Sequence, residues 1–205
     1  MLISGISLIN SSFVYAESKS TTYWEDYYSS YNYENVGDWS NSIKALLILY
    51  KKHPTNYTLN LRLGYLYFAD KKYANSIEHY ENAIEAKPHS MSPLIGLIRV
   101  RNAQGQYTRS VEVGYRITNI DFYSYYGNLS LAYALRMSKK YELAEKTTLK
   151  LLALYPEDVS FLQEYALLQV NQGELNKATE AFNYVLLLDP ENVLAKENLS
   201  ALPKK

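Results

Sequence analysis

The sequence predicts an all-α protein built as a solenoid of helix–turn–helix units. Three observations predict it. A skeleton of 34 residues recurs without insertion from Tyr23 to Asn192, and a fixed period of that length marks stacked repeats. Small residues return at two phases of the period, with bulky residues at constant offsets from them. Gly and Pro punctuate the units at fixed positions. In such an array the 205 residues need no single core, because each unit packs only on its neighbours.

The chain opens on LISGISLINSSFVYA, residues 2–16, an apolar run without charge. Val14-Tyr15-Ala16 sets small residues where a signal peptidase reads, and Glu17-Ser18-Lys19-Ser20 then turns polar. Residues 1–16 are therefore expected to be a secretory signal segment, and 17–22 a flexible lead-in. The mature chain is expected to be exported, to a periplasm or outside the cell. No Lys or Arg precedes the apolar run, which departs from the usual leader. The alternative is a frayed N-terminal helix on a cytoplasmic protein. Ser4, Ser7, Asn10, Ser11 and Ser12 make the run too polar, and it is too short, to span a membrane.

Five units follow, at 23–56, 57–90, 91–124, 125–158 and 159–192, and residues 193–205 form a terminal helix and tail. Counting each unit from 1 to 34, turn position 15 is Gly37, Lys71, Gly105, Lys139 and Gly173. Glycine there suits a helix end that reverses sharply. Position 20 is Ser42, Ser76, Ser110, Ala144 and Ala178, and position 8 is Ser30, Gly64, Ile98, Ala132 and Ala166. Small residues at 8 and 20 let the two helices of a unit approach closely, while bulky residues at 7, 24 and 28 fill the space to the next unit. Position 32 is Pro54, Pro88, Phe122, Pro156 and Pro190. Proline lacks an amide donor, so it belongs in the link or at a helix start.

Two units depart from this pattern. The first has Ser29-Ser30 and a polar, tyrosine-rich first helix, as expected of an N-terminal cap. The third has Ile98 at the small position, Arg101 at the aromatic position 11 and Phe122 for proline. Gly114 is expected to make room for Ile98. In the last helix Leu194, Leu199 and Leu202 should face inward, with Lys196, Glu197 and Lys204 outward.

The pattern resembles the tetratricopeptide repeat family. Leu63-Gly64-x-x-Tyr67 with Tyr73, Tyr80, Ala83 and Pro88 carries the resemblance, as does Tyr165-Ala166 with Gly173, Ala178, Phe182 and Pro190. It covers five units in phase, about 170 residues. The resemblance implies a right-handed superhelix of helix pairs whose first helices line a concave groove, and a non-catalytic scaffold that binds a protein or peptide.

Composition narrows the class. Lys+Arg and Asp+Glu are both 21, so no net charge is available to hold nucleic acid or an acidic membrane. Cysteine is absent, which excludes disulfides and thiolate metal sites. His53, His79 and His89 are isolated, and there is no phosphate loop, paired-His motif or nucleophile elbow. Neither cofactor, metal, catalytic residue nor nucleic-acid partner is expected. With 22 Tyr, some phenol rings should lie on the surface or in a groove.

Carried onto this chain, the family's concave positions give Trp24, Tyr27 and Tyr31, then Arg62, Tyr65, Phe68, Arg99, Tyr126, Tyr133 and Arg136. Arg62, Arg99 and Arg136 move from position 6 to 9 to 12 across three units, a diagonal suited to carboxylates or carbonyls of an extended ligand. The plainer reading is that the arginines pair with local acids and the tyrosines pack between helices. Some family members grip acidic chaperone tails with Lys and Asn at positions 5 and 9. Here those positions are Tyr27, Leu61, Ile95, Leu129, Gln163 and Tyr31, Tyr65, Arg99, Tyr133, Leu167, so that clamp is absent. A partner peptide or helix is the expected ligand. A glycan or cell-wall polymer stacking on the same rings is the alternative.

Overall fold

The computed structural model describes residues 22–203, so the expected signal segment and most of the lead-in lie outside the described residues. Among the described residues there are eleven helices and no strands. The pairs are α1 (Tyr23–Asn35) with α2 (Trp39–Lys52), α3 (Tyr57–Ala69) with α4 (Tyr73–Ala86), and α5 (Met91–Ala103) with α6 (Tyr107–Ile120). Then come α7 (Tyr125–Met137) with α8 (Tyr141–Leu152), α9 (Val159–Gln172) with α10 (Leu175–Leu188), and the single α11 (Val193–Ala201). Every first helix begins at position 1 of its unit, so the period read from the sequence is the period of the fold. The chain is an all-α helical repeat solenoid.

Local chemistry sets the helix ends. Asn56, Asp158 and Asn192 each accept the amide three residues on, at 3.0–3.1 Å, starting α3, α9 and α11. Thr22 does the same for α1 and its amide donates to the Glu25 carboxylate at 2.6 Å, a reciprocal capping box. Thr22 thus belongs to the first helix and not to the lead-in. The turn between the helices of a pair carries the positive backbone φ of the unit at position 15: Gly37, Lys71, Gly105, Lys139 and Gly173, from 58° to 81°.

Within a pair, positions 8 and 20 are buried in every unit. Ser42 Oγ donates to the Ser30 carbonyl and Ser76 Oγ to the Gly64 carbonyl, both at 2.6 Å. Such bonds need backbones in near contact. In the third unit, where position 8 is Ile98, the bond is missing and Ser110 Oγ is buried without a partner among the described residues. Gly114 does not relieve Ile98: a Cβ there would meet Leu131 at 2.7 Å, so its space belongs to the next unit. Tyr80 uses two such gaps. Its ring lies against Gly64 and Gly96, where an added Cβ would come within 2.7 Å and 2.2 Å of it. Burial pushes the Tyr80 phenol up to about 12.

Between units, Leu59, Leu63 and Leu66 of α3 are fully buried against α2, with Ile43, Leu46 and Leu49. Those positions in α1 are Glu25, Ser29 and Asn32, so the first helix turns a polar face outward. At the other end Leu194, Leu199 and Leu202 pack on the cluster around Phe182, with Lys196 and Glu197 exposed.

One buried polar group sits in the joint between the first two units. Asn60 donates from Nδ2 to the carbonyls of Pro54 and Asn56, which leaves its Oδ1 to accept from His79 Nδ1 at 2.9 Å. The His79 ring stacks on Tyr67 and meets the edge of Tyr50. Burial pulls the His79 pKa below its ordinary value, against a weaker pull from Glu78.

Two predictions follow from this packing. A left-handed conformation costs an L-residue about 1–2 kcal/mol, partly offset by glycine's greater chain entropy. Lys71→Gly and Lys139→Gly should therefore each raise the unfolding free energy by about 1 kcal/mol in denaturant titrations. Because His79 holds its proton less tightly when folded, the unfolded chain binds more protons below about pH 6.5. Stability should fall as pH drops through that value, by up to about 1.4 kcal/mol per pH unit from this residue, and His79→Gln should flatten the slope.

A candidate ligand-binding groove

The curvature of the array decides which face is a groove. Successive first helices touch, α3 on α5, α5 on α7 and α7 on α9, whereas the second helices of neighbouring units do not share such contacts. The stack therefore closes up on the side of the first helices, which form the inner wall.

At the N-terminal end of this wall the aromatic side chains pack on one another. Trp24 is exposed but meets the edges of Tyr23 and Tyr27 and stacks on Tyr28. Tyr27 is half-buried against Tyr23 and Tyr31, and burial, with a hydrogen bond to Tyr31, lifts its phenol to about 12. Tyr31 has one ring face covered by the Arg62 guanidinium, 3.3 Å from its centroid. Arg62 itself is buried: Nε donates to Ser30 Oγ at 2.9 Å and an amino group pairs with Glu34 at 2.7 Å. Tyr65 is exposed, and its phenol is raised by burial and then by a hydrogen bond to the same Glu34.

The middle of the wall holds Phe68, half-buried against Tyr73, and Arg99, whose guanidinium lies 5.6 Å from the Phe68 ring. Arg99 is exposed and makes no ion pair among the described residues. Farther on, Tyr133 packs on Tyr107, and burial followed by a hydrogen bond to that neighbour raises its phenol. Arg136 is buried and bidentate on Glu164, at 2.7 and 3.2 Å, and donates to Asn171 at 3.1 Å. Burial pushes the Glu164 carboxyl up, although Arg136 pulls it down. Tyr126 stands apart from the others, exposed at the lip of the wall on the edge of Tyr125.

The structure thus gathers Tyr27 and Tyr31 on Arg62 and Tyr65 beside its partner Glu34, and Tyr133 with Arg136 near Glu164. The diagonal of three arginines becomes a half-buried pair, Arg62–Glu34, a buried pair, Arg136–Glu164, and Arg99, which makes no ion pair among the described residues. The two pairs share a register. Position 12 of one unit meets position 6 of the next: Glu34 with Arg62, Arg136 with Glu164, in opposite charge order. In the third joint Asn102 Nδ2 donates to the Ser130 carbonyl at 3.1 Å across the same positions. In the second joint they are Phe68 and Gly96, beside the Tyr80 ring. Sequence reasoning did not assign Glu34 and Asn102 to the wall. Opposite charges 28 residues apart were the available signal.

The wall is hollowed at its C-terminal half. A depression of about 430 Å³ is bounded by Leu129, Tyr133, Leu167 and Leu194, with Asn102 and Gln163 as polar neighbours and the Arg136–Glu164 pair beneath. Leu194 comes from α11, so the terminal helix closes one end. Gln163 is held by Asn192 at 2.8 Å. Among the described residues no group of three His, Asp or Glu side chains is placed to hold a metal ion, and no helix is long and apolar enough to cross a membrane.

Breaking one partner of a buried pair strands the other charge. Arg136→Glu should cost about 3–5 kcal/mol. Adding Glu164→Arg recreates the order seen between the first two units and should recover at least half of that loss. A double-mutant cycle in urea reads the coupling directly.

Residues 31–91 match the tetratricopeptide repeat family profile. No curated protein matches the chain in sequence. Solved structures do match in fold. A tetratricopeptide repeat protein from Parabacteroides merdae superposes with a TM-score of 0.80 at 18% identity, covering 87% of this chain and 71% of its own. MamA from Desulfovibrio magneticus gives 0.75 at 14%, covering 83% and 96%. YrrB, described as having an unusual peptide-binding site, gives 0.71 at 12%, covering 85% and 90%. With the period, the helix pairs and the match over 31–91 in agreement, residues 31–91 carry tetratricopeptide repeat sequence and the described chain has the fold of tetratricopeptide repeat proteins.

Proposed function

We propose that this protein is an interaction scaffold whose concave wall holds a peptide or helical segment of a partner protein. The observation that carries the reading is the hollow between α7, α9 and α11. It has leucine sides, and its floor is fixed by a buried ion pair. A volume of about 430 Å³ suits one or two large apolar side chains of a bound segment. Arg99 and Tyr65 lie farther along the wall, exposed and able to meet carboxylates or backbone carbonyls. A floor locked by a bidentate pair loses little entropy on binding. The described peptide-binding site of YrrB, on the same fold, supports the same use.

Glycan binding is the second reading. Sugars stack on free ring faces. Here Trp24, Tyr27 and Tyr28 pack against each other and Arg62 covers Tyr31, which favours the peptide reading. A photo-crosslinking residue at Leu167, on the concave wall, should yield adducts with protein from native extract. The same residue at Glu112, exposed on α6, should yield none. Equal yields from both positions would remove the groove as the site, and a carbohydrate adduct at 167 would turn the assignment to glycans.

A further inference from the structure

The edge of the solenoid where each second helix hands over to the next first helix changes character along its length. In the first two links it is polar: Lys52-His53-Pro54-Thr55 and Lys87-Pro88-His89. In the next two it is apolar and exposed. Ile120 is 41% exposed, Phe122 57%, Tyr123 51%, Leu154 48% and Tyr155 47%, with Tyr126 at 65% on the boundary with the groove. Side-chain contacts tie the rings of these two links into two neighbouring groups. Phe122 and Tyr123 meet edge to face at 4.9 Å, and Tyr125 touches both Tyr126 and Tyr155. Lys150 joins the two halves one turn before Leu154, with its ammonium 3.8 Å from the Phe122 ring centroid and 2.8 Å from the Phe122 carbonyl. Asn128 donates to that carbonyl as well, at 3.0 Å. The most exposed ring of the link regions is therefore held rigidly, as an anchor residue at an interface is.

We infer that this ledge is the contact between two copies of the chain, related by a two-fold axis through the third and fourth links. Area is the first argument. At about 150–250 Å² for each fully exposed large side chain, the six residues present roughly 600 Å². Two copies would bury about 1,200 Å² in total, at the lower end of a standard specific interface. Charge is the second. Lys150 and the exposed Asp121 and Glu157 border the patch with both signs. With both signs at its rim, the patch carries the mixed charge that a two-fold interface can use to complement itself. A bilayer surface, whose headgroups favour Lys and Arg, would be opposed by the two carboxylates.

The repeat supplies a conservative test. Asp121 has φ −138° and ψ 103°, the extended conformation required before proline. His53, Lys87 and Asp189, which precede prolines, have φ of −138°, −142° and −136°. The Phe122 amide makes no backbone hydrogen bond. Phe122→Pro thus restores the residue of the other four units and removes only the ring. Sedimentation velocity of the full chain at micromolar concentration should give twice 23.6 kDa. Phe122→Pro and, separately, Tyr123→Lys should each raise the dimer dissociation constant at least tenfold, with circular dichroism unchanged. Ile48→Ser, which removes an exposed apolar side chain elsewhere, should leave the dimer intact. A monomeric wild-type chain would overturn the inference, as would a dimer indifferent to both ledge substitutions. A monomer that floats with phosphatidylcholine–phosphatidylglycerol vesicles would overturn it in favour of a membrane.

Discussion

The close approach of the two helices within each unit is the constraint on which everything else rests. It requires side chains no larger than serine or alanine on at least one of the two helices at positions 8 and 20. Where both are small, a serine hydroxyl reaches the opposite backbone, as in Ser42 to Ser30 and Ser76 to Gly64. Where isoleucine intrudes, the pair still forms but Ser110 loses its acceptor. An orphaned buried hydroxyl costs about 1–3 kcal/mol. The third unit therefore lacks the serine-to-backbone bond that closes the first two units. Once the pairs are set, the positions of the bulky residues follow, and these stack the units with their first helices innermost.

The architecture was legible because its signals are local. A capping side chain, a left-handed turn residue and a link proline each act within a few residues, so a period of 34 shows in the sequence and survives into the fold. Lys71 and Lys139 illustrate the strength of the phase: they take the glycine conformation because the turn demands it. The wall was only half legible. Its positions lie on the first helices, but the partners of Arg62 and Arg136 lie a whole unit away and become neighbours only on stacking. Gly114 misled for the same reason. Its gap was assigned to Ile98 within the unit, whereas Leu131 of the next unit fills it. Tyr80 shows the limit from the other side, since a ring lodged between glycines of two different helices leaves no local trace.

These long-range contacts also divide the groove. Toward the N-terminus the tyrosines and tryptophan are mostly occupied with each other and with Arg62, so that end is a stiff aromatic block. Toward the C-terminus the surface opens into a leucine-sided hollow above a locked ion pair. Arg99 stands between, without an ion pair among the described residues. Along the wall, ring edges are thus followed by a cation and then by a cavity.

The opposed polarity of the two inter-unit ion pairs has a consequence for assembly itself. Tandem arrays of similar units risk docking out of sequence while they fold, since any helix pair offers a plausible surface to any other. Here a unit that leads with Glu34 accepts a follower bearing Arg62, and one that leads with Arg136 accepts a follower bearing Glu164. Exchange the followers and each joint buries two like charges. The two charged joints thus disfavour exchange of their followers, a selectivity that apolar packing alone would not supply.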